Sequence, residues 1–138
     1  MRHEKMRVSQ RTEYGVRAMI ALAKDCDEVV SIKELADRES IPETFLEQIM
    51  SDLRKAGLLR SVRGPNGGFK LREAPSEITI GRVIATLEGS LSPARCESDC
   101  VRQDGCSTRS VLDRIERSIT ETLDGIYLNE LAGDLVNE

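Results

Sequence analysis

Three cysteines fall within eleven residues, CESDCVRQDGC, at positions 96, 100 and 106. Thiols this close can form a disulfide, bind zinc, hold an iron–sulfur cluster, or do nothing. A closed zinc site takes four ligands, and this stretch supplies three thiolates without a neighbouring histidine. The chain's one histidine is His3, and its fourth cysteine, Cys26, lies in the acidic turn DCDE, where it reads as a spectator. Two further groups of polar residues lie upstream. At helical spacing Thr44, Glu47, Gln48, Ser51 and Lys55 share one face, a row of hydrogen-bonding side chains with one cation. Beyond them Arg60, Arg63, Lys70 and Arg72 flank the turn Gly64-Pro65-Asn66-Gly67-Gly68.

Positioning these groups is the task of a 138-residue chain, enough for one domain with a real core. It is 39% apolar and 32% charged, as a globular protein is. No apolar run nears the roughly 18 residues that a membrane span needs. No apolar stretch follows the basic start MRHEKMRVSQ, so a cytoplasmic location is expected. Disulfides seldom persist in that compartment. The net charge of −4 is unevenly shared: residues 1–72 carry 14 Lys/Arg against 11 Asp/Glu, and residues 73–138 carry 6 against 13. A basic first half on an acidic chain suits local contact with nucleic acid. With two Tyr, two Phe and no Trp, stacking on single-stranded bases is disfavoured.

Residues 12–24, TEYGVRAMIALAK, place Tyr14, Ala18, Ile20, Ala21 and Leu22 at helical spacing. In SIKELADRES, Ser31 and Glu34 form a capping box, with Ile32, Leu35 and Ala36 facing inward. Ser40-Ile41-Pro42 breaks the pattern, and a third helix runs from about Pro42 to Ala56, stopped by Gly57. Its expected apolar stripe is Phe45, Leu46, Ile49, Leu53 and Ala56. LLRSVRGPNGGFKLRE then reads as strand, tight turn, strand. A short helix, a tight break, a longer helix and a basic two-stranded wing together make a winged helix-turn-helix, a fold that reads double-stranded DNA. GPNGG is not a nucleotide loop, since the Lys-Ser/Thr and the strand-to-helix setting are missing. Thr79 caps a helix through ITIGRVIATLEG. A final helix from Ser107 or Ser110 carries the narrow stripe Leu112, Ile115, Ile119, Leu123 and Ile126, suited to one partner helix. The fold class is therefore mainly α with a small β-wing. Residues 1–89 form the DNA-binding domain, 90–107 the cysteine loop, and 108–138 a dimerisation helix with a C-terminal tail.

The string IPETFLEQIMSDLRKAGLLRSVRGPNGGFKLREAPSEITIGRVI resembles the bacterial winged-helix regulators that include IscR, NsrR and CymR. FLEQI, LRKAGL and SVRGPNGGFKL are similar to that family's signature helix and wing, and Thr12-Glu13-Tyr14 to its opening helix. The resemblance spans residues 6 to about 130. It implies a homodimer on a pseudo-palindromic operator, with half-sites roughly one helical turn, about 10 bp, or a multiple apart. It also implies that Thr44, Glu47 and Gln48 meet base edges and that Arg63 enters the minor groove. The chemistry agrees: Glu can accept from cytosine N4 and Gln can pair with adenine. Ser51, Lys55 and Arg60, with Asn66 and Gly67 at the wing tip, complete the expected DNA-facing set.

Many members of that family hold an iron–sulfur cluster on three cysteines before the dimer helix, where Cys96, Cys100 and Cys106 stand. Their gaps here are three and five residues, against the family's usual five and five. Members with a 2Fe–2S cluster use a histidine three residues past the last cysteine, and Arg109 stands there instead. Members similar to NsrR take an acidic residue from the partner's first helix, which corresponds to Glu13. The resemblance thus favours a 4Fe–4S cluster over 2Fe–2S, on Cys96, Cys100 and Cys106 with Glu13 of the partner subunit. Such a protein represses when loaded and senses iron, redox state or nitric oxide. The alternative is a regulator of the same family that works by thiol oxidation or with no cofactor. An enzyme is disfavoured, for no nucleophile–base pair, phosphate loop or zinc hydrolase motif is present. A small electron carrier has no use for a wing, and its cluster usually takes four local cysteines.

Overall fold

Ser9 starts the first helix by accepting the Thr12 N–H on its side chain, so α1 covers Gln10–Lys24. In this computed structural model residues 8–88 and 107–136 are described. Ala18, Met19 and Leu22 of α1 are fully buried, as their spacing predicts for Ala18 and Leu22. The helix passes so close to its neighbours that a Cβ on Gly15 would strike Leu87 Cδ1 and come within 3.3 Å of Ile49 Cγ2.

Helix α2 spans Ile32–Glu39 and opens on Ser31, whose hydroxyl accepts the Glu34 N–H at 3.1 Å. Only this half of the expected capping box forms. The Glu34 carboxylate accepts from Arg38, one turn on, at 3.4 Å. Ser40 ends the helix in the left-handed region (φ 56°, ψ 46°), with its N–H on the Ala36 carbonyl. Pro42 then redirects the chain into α3, Glu43–Lys55, whose buried underside is Leu46, Ile49, Met50 and Leu53. Phe45 and Ala56, expected on that stripe, are exposed, and Met50 lies there instead. Periodicity locates a stripe but not its edges, and Phe45 turns toward α1 to meet the Tyr14 ring edge-on at 5.4 Å. Gly57, at φ +84°, stops the helix as expected.

Strands β1 (Leu59–Val62) and β2 (Gly68–Leu71) pair antiparallel, with Leu59 opposite Leu71 at the buried root. Sequence reasoning missed a third contact: Val30 and Phe69 exchange both backbone hydrogen bonds, at 2.8 and 2.9 Å. Val30 directly precedes the cap of α2, so the wing is stitched to the helix pair. After a 3-10 turn over Pro75–Glu77, α4 runs Ile80–Glu88. Thr79 caps it by accepting the Arg82 N–H at 3.2 Å.

The C-terminal third departs from expectation. Helix α5, Ser107–Asp124, ends before Ile126, which is not on its stripe. The Ile126 carbonyl instead accepts the Ile80 N–H at 2.8 Å, beside a Thr79–Tyr127 bridge. The segment expected to be a tail holds another helix, α6, Leu128–Val136. Its Leu128 and Ala132 are buried in the core cluster shared with α1. The winged helix thus recruits the far end of the chain, while α5 spans outward between α4 and α6. The fold class is the expected one, mainly α with a small β-wing.

Candidate nucleic-acid interface

Because α3 buries one side completely, its other side is presented outward on a rigid base. Thr44, Glu47, Gln48 and Lys55 are exposed there and Ser51 is half-buried, so the structure brings this expected set together. Gln48 is not loose: its Nε2 donates to Asp52 Oδ1 at 3.5 Å. Asp52 in turn accepts from Arg11 Nη2 at 2.5 Å, across from α1. The Arg11 hydrogen bond, outweighing burial, holds the Asp52 carboxyl below the usual carboxylate range. Arg11, Thr44, Phe45 and Gln48 line an open cleft of about 320 Å³ at the head of α3. Arg11, Asp52 and Phe45 had no place in the expected site. Their contribution comes from contacts between distant parts of the chain, Arg11 with Asp52 and Phe45 with Tyr14, for which a single sequence carries no signal.

On the wing Arg60, Arg63 and Asn66 are exposed, and Gly67 closes the turn by donating its N–H to the Gly64 carbonyl at 2.9 Å. A side chain at Gly67 would collide with the Val62 carbonyl oxygen and crowd that of Gly64 at 2.9 Å, so the turn needs glycine. Arg60 stands directly opposite Lys70 in the register. Two like charges side by side weaken strand pairing by about 0.2–1 kcal/mol. Among the described residues none of Arg60, Arg63 and Lys70 is in a salt bridge. An anion such as a DNA phosphate would relieve that repulsion.

The expected cluster ligands are only partly placed. Cys96, Cys100, Cys106 and His3 lie outside the described residues. Glu13 is on the outer face of α1 with its side chain 65% exposed, touched by Arg17 at 3.6 Å. It lines an open groove with Val8, Gln10, Val16 and Ile84. A contact of that kind, an exposed i,i+4 pair, holds a carboxylate by only about 0.3–0.5 kcal/mol. Among the described residues no group of three or more His, Cys, Asp or Glu is arranged for a metal. Cys26 packs half-buried against the core. No described helix is long and apolar enough to cross a membrane. Along α5 no residue is buried, and Val111 and Ile115 are exposed at 54% and 39%.

Comparison with known proteins agrees with this geometry. Residues 8–134 match the family model Rrf2, described as an iron-dependent transcriptional regulator. The chain is 36% identical over 132 residues to the HTH-type transcriptional regulator IscR of Aliivibrio salmonicida, covering 94% of this chain and 79% of that one. The solved structure of CymR, the global cysteine regulator of B. subtilis, superposes with a TM-score of 0.80 at 36% identity, covering 94% of this chain and 98% of that one. That of T. potens IscR gives 0.78 at 38% identity, covering 94% and 88%. Such relatives are transcriptional regulators and not enzymes. With a winged helix and a family match over nearly its whole length, this chain belongs to the Rrf2 family of DNA-binding transcriptional regulators.

Proposed function

We propose that the protein is a homodimeric repressor that reads a pseudo-palindromic operator through α3 and the wing, under control of an iron–sulfur cluster. The observation that carries the DNA reading is a pair of adjoining surfaces: a hydrogen-bonding face on α3 and an unpaired basic wing. Thr44, Glu47 and Gln48 present donors and acceptors to major-groove base edges. Arg63 at the wing enters the minor groove, while Lys55, Arg60 and the backbone around Asn66 and Gly67 meet phosphates. Ser51, half-buried on the same face, sets how closely α3 approaches. The dimer reading rests on the incompletely covered apolar stripe of α5, where Ile115 is exposed and Leu112 and Ile119 are half-buried.

Cys96, Cys100 and Cys106 with Glu13 of the partner subunit would hold the cluster, 4Fe–4S in preference to 2Fe–2S. Three thiolates and a carboxylate are a fitting donor set, and the exposed, weakly held Glu13 suits the fourth place. When bound, the cluster supplies iron–thiolate chemistry sensitive to iron supply, oxidants and nitric oxide. A ligand set shared by two subunits fixes their relative placement, and so favours one spacing of the two α3 helices. The second reading, thiol-based control without a cluster, is supported by the similarity to CymR, of which an oxidized form from Staphylococcus aureus has been solved. The deciding experiment is anaerobic purification, a visible spectrum, and an iron and sulfide count, followed by DNA titration with loaded and stripped protein. Colourless, metal-free protein that still binds DNA selects the second reading. In Glu13→Ala the cluster should be lost faster in air, and an unchanged lifetime removes Glu13 from the ligand set.

A further inference from the structure

The two bonds made by Arg11 join three helices. Its Nε donates to the Leu87 carbonyl in the last turn of α4 at 3.4 Å, and its Nη2 donates to Asp52 on α3. Asp52 receives Gln48 Nε2 on its other oxygen. The same end of α4 is clasped to the start of α1. Glu88 Oε2 accepts from the Ser9 N–H at 3.1 Å, the Ser9 hydroxyl at 2.9 Å and the Thr12 hydroxyl at 2.6 Å. Thr12 is fully buried, so the inner bond of that clasp is withdrawn from water, while the two bonds from Ser9 are exposed. Residue 88 is also where the chain leaves the winged helix for the segment that carries the cysteines.

A lone surface ion pair contributes little, but a guanidinium fixed at two points in a planar fork has little freedom to reorient. A carboxylate on the DNA side of α3 is otherwise a liability, since it repels phosphate. Here the arginine neutralises its charge, and its second oxygen is turned toward Gln48. A glutamine amide reads adenine only when its O and N are held in the plane of the base edge.

We infer that Arg11 and Asp52 are positioning residues for Gln48: they fix the reading orientation of its amide and tie it to the end of α4. This rests on the DNA reading of α3. The position of the α4 terminus is thereby transmitted to one base contact, without any change in the remaining contacts of the helix.

The two members of the pair should leave a signature that loss of structure alone cannot imitate. The full-length dimer is used to enrich binding sites from a library of randomised duplexes. The base preferences of the wild type, Gln48→Ala, Arg11→Met, Asp52→Asn and Arg11→Lys are then measured on the enriched site. Gln48→Ala marks the position that it reads, where a good contact gives roughly tenfold discrimination. Arg11→Met and Asp52→Asn should each reduce preference at that position by about threefold or more, leaving other positions unchanged. Their effects on affinity for non-specific duplex should have opposite signs, lower for Arg11→Met and higher for Asp52→Asn, since one removes a cation and the other an anion. Arg11→Lys, which restores the cation but not the two-point fork, should recover the non-specific affinity and only part of the preference. Glu88→Ala, which opens the clasp, should weaken preference at the same position.

Unchanged preference in folded Arg11→Met and Asp52→Asn overturns the inference, as does an equal loss at every position. If the wild type enriches no duplex, the DNA reading of α3 itself falls. If it enriches one but Gln48→Ala alters nothing, only the role of Gln48 falls, and this inference with it.

Discussion

Helices α3 and α5 treat their side chains in opposite ways. Helix α3 buries a full apolar underside, with Leu46, Ile49, Met50 and Leu53 sealed from solvent, and leaves a polar face outside. Helix α5 seals no residue completely: Leu112, Ile119 and Leu123 are half-buried, and Val111 and Ile115 are left outside. Both surfaces are incomplete, but in different senses: one lacks hydrogen-bonding partners, the other a hydrophobic one. The first can be shown to the solvent at no cost, while the second is stabilised by being covered. That difference suits a contact that must come and go with DNA and a contact that lasts.

Substitutions should separate the two helices in order of size. Leu53→Ala, which empties space under α3, should cost about 2–5 kcal/mol of folding stability, read from denaturant unfolding. Leu112→Ala on half-exposed α5 should cost clearly less in the same assay at protein concentrations low enough for the monomer, and equal losses would erase the contrast. Ile115→Glu should leave the helical signal intact but weaken self-association by about 2 kcal/mol or more, measured by sedimentation. A variant that remains as dimeric as the parent would remove α5 from the interface.

A smaller effect is expected on the wing. Lys70→Thr ends the like-charge pairing with Arg60 and should raise folding stability by about 0.2–1 kcal/mol. It should also flatten the salt dependence of DNA binding by about one unit of slope. The two signs together would show stability being given up for phosphate contact. Smallest is the acid response of the clasp between α1 and α4. The Thr12 hydroxyl first, and then Ser9, hold the Glu88 carboxyl below its ordinary range, outweighing desolvation. Its contribution is therefore complete above the unfolded value of about 4.3 and is lost as pH falls through the lower folded value. Glu88→Gln should flatten the fall in urea midpoint on that acid limb, and an unaltered limb would show the clasp to be indifferent to protonation.

How much of this could be read from residues alone depends on how far apart the interacting groups lie. The Ser31 cap, the Gly57 stop and the GPNGG turn are local chemistry, and each is found where its motif lies. Helix α6 escaped notice because its core contacts among the described side chains, Leu128, Leu131 and Ala132, are too few to make a clear helical stripe. The Val30–Phe69 stitch is a pairing of backbones, which side-chain identity does not announce. Of the polar face, the exposed row on α3 was legible from helical spacing. The Arg11–Asp52 support was not, since each is one of many charges in the sequence.

The Val30–Phe69 stitch has a mechanical consequence. With its root buried and one strand pinned ahead of α2, the wing cannot swing independently of the recognition helix. In the proposed dimer each subunit would therefore meet the double helix as a caliper with a set gap between its two jaws. Adjustment to a wider or narrower operator would then have to come from the joint between calipers.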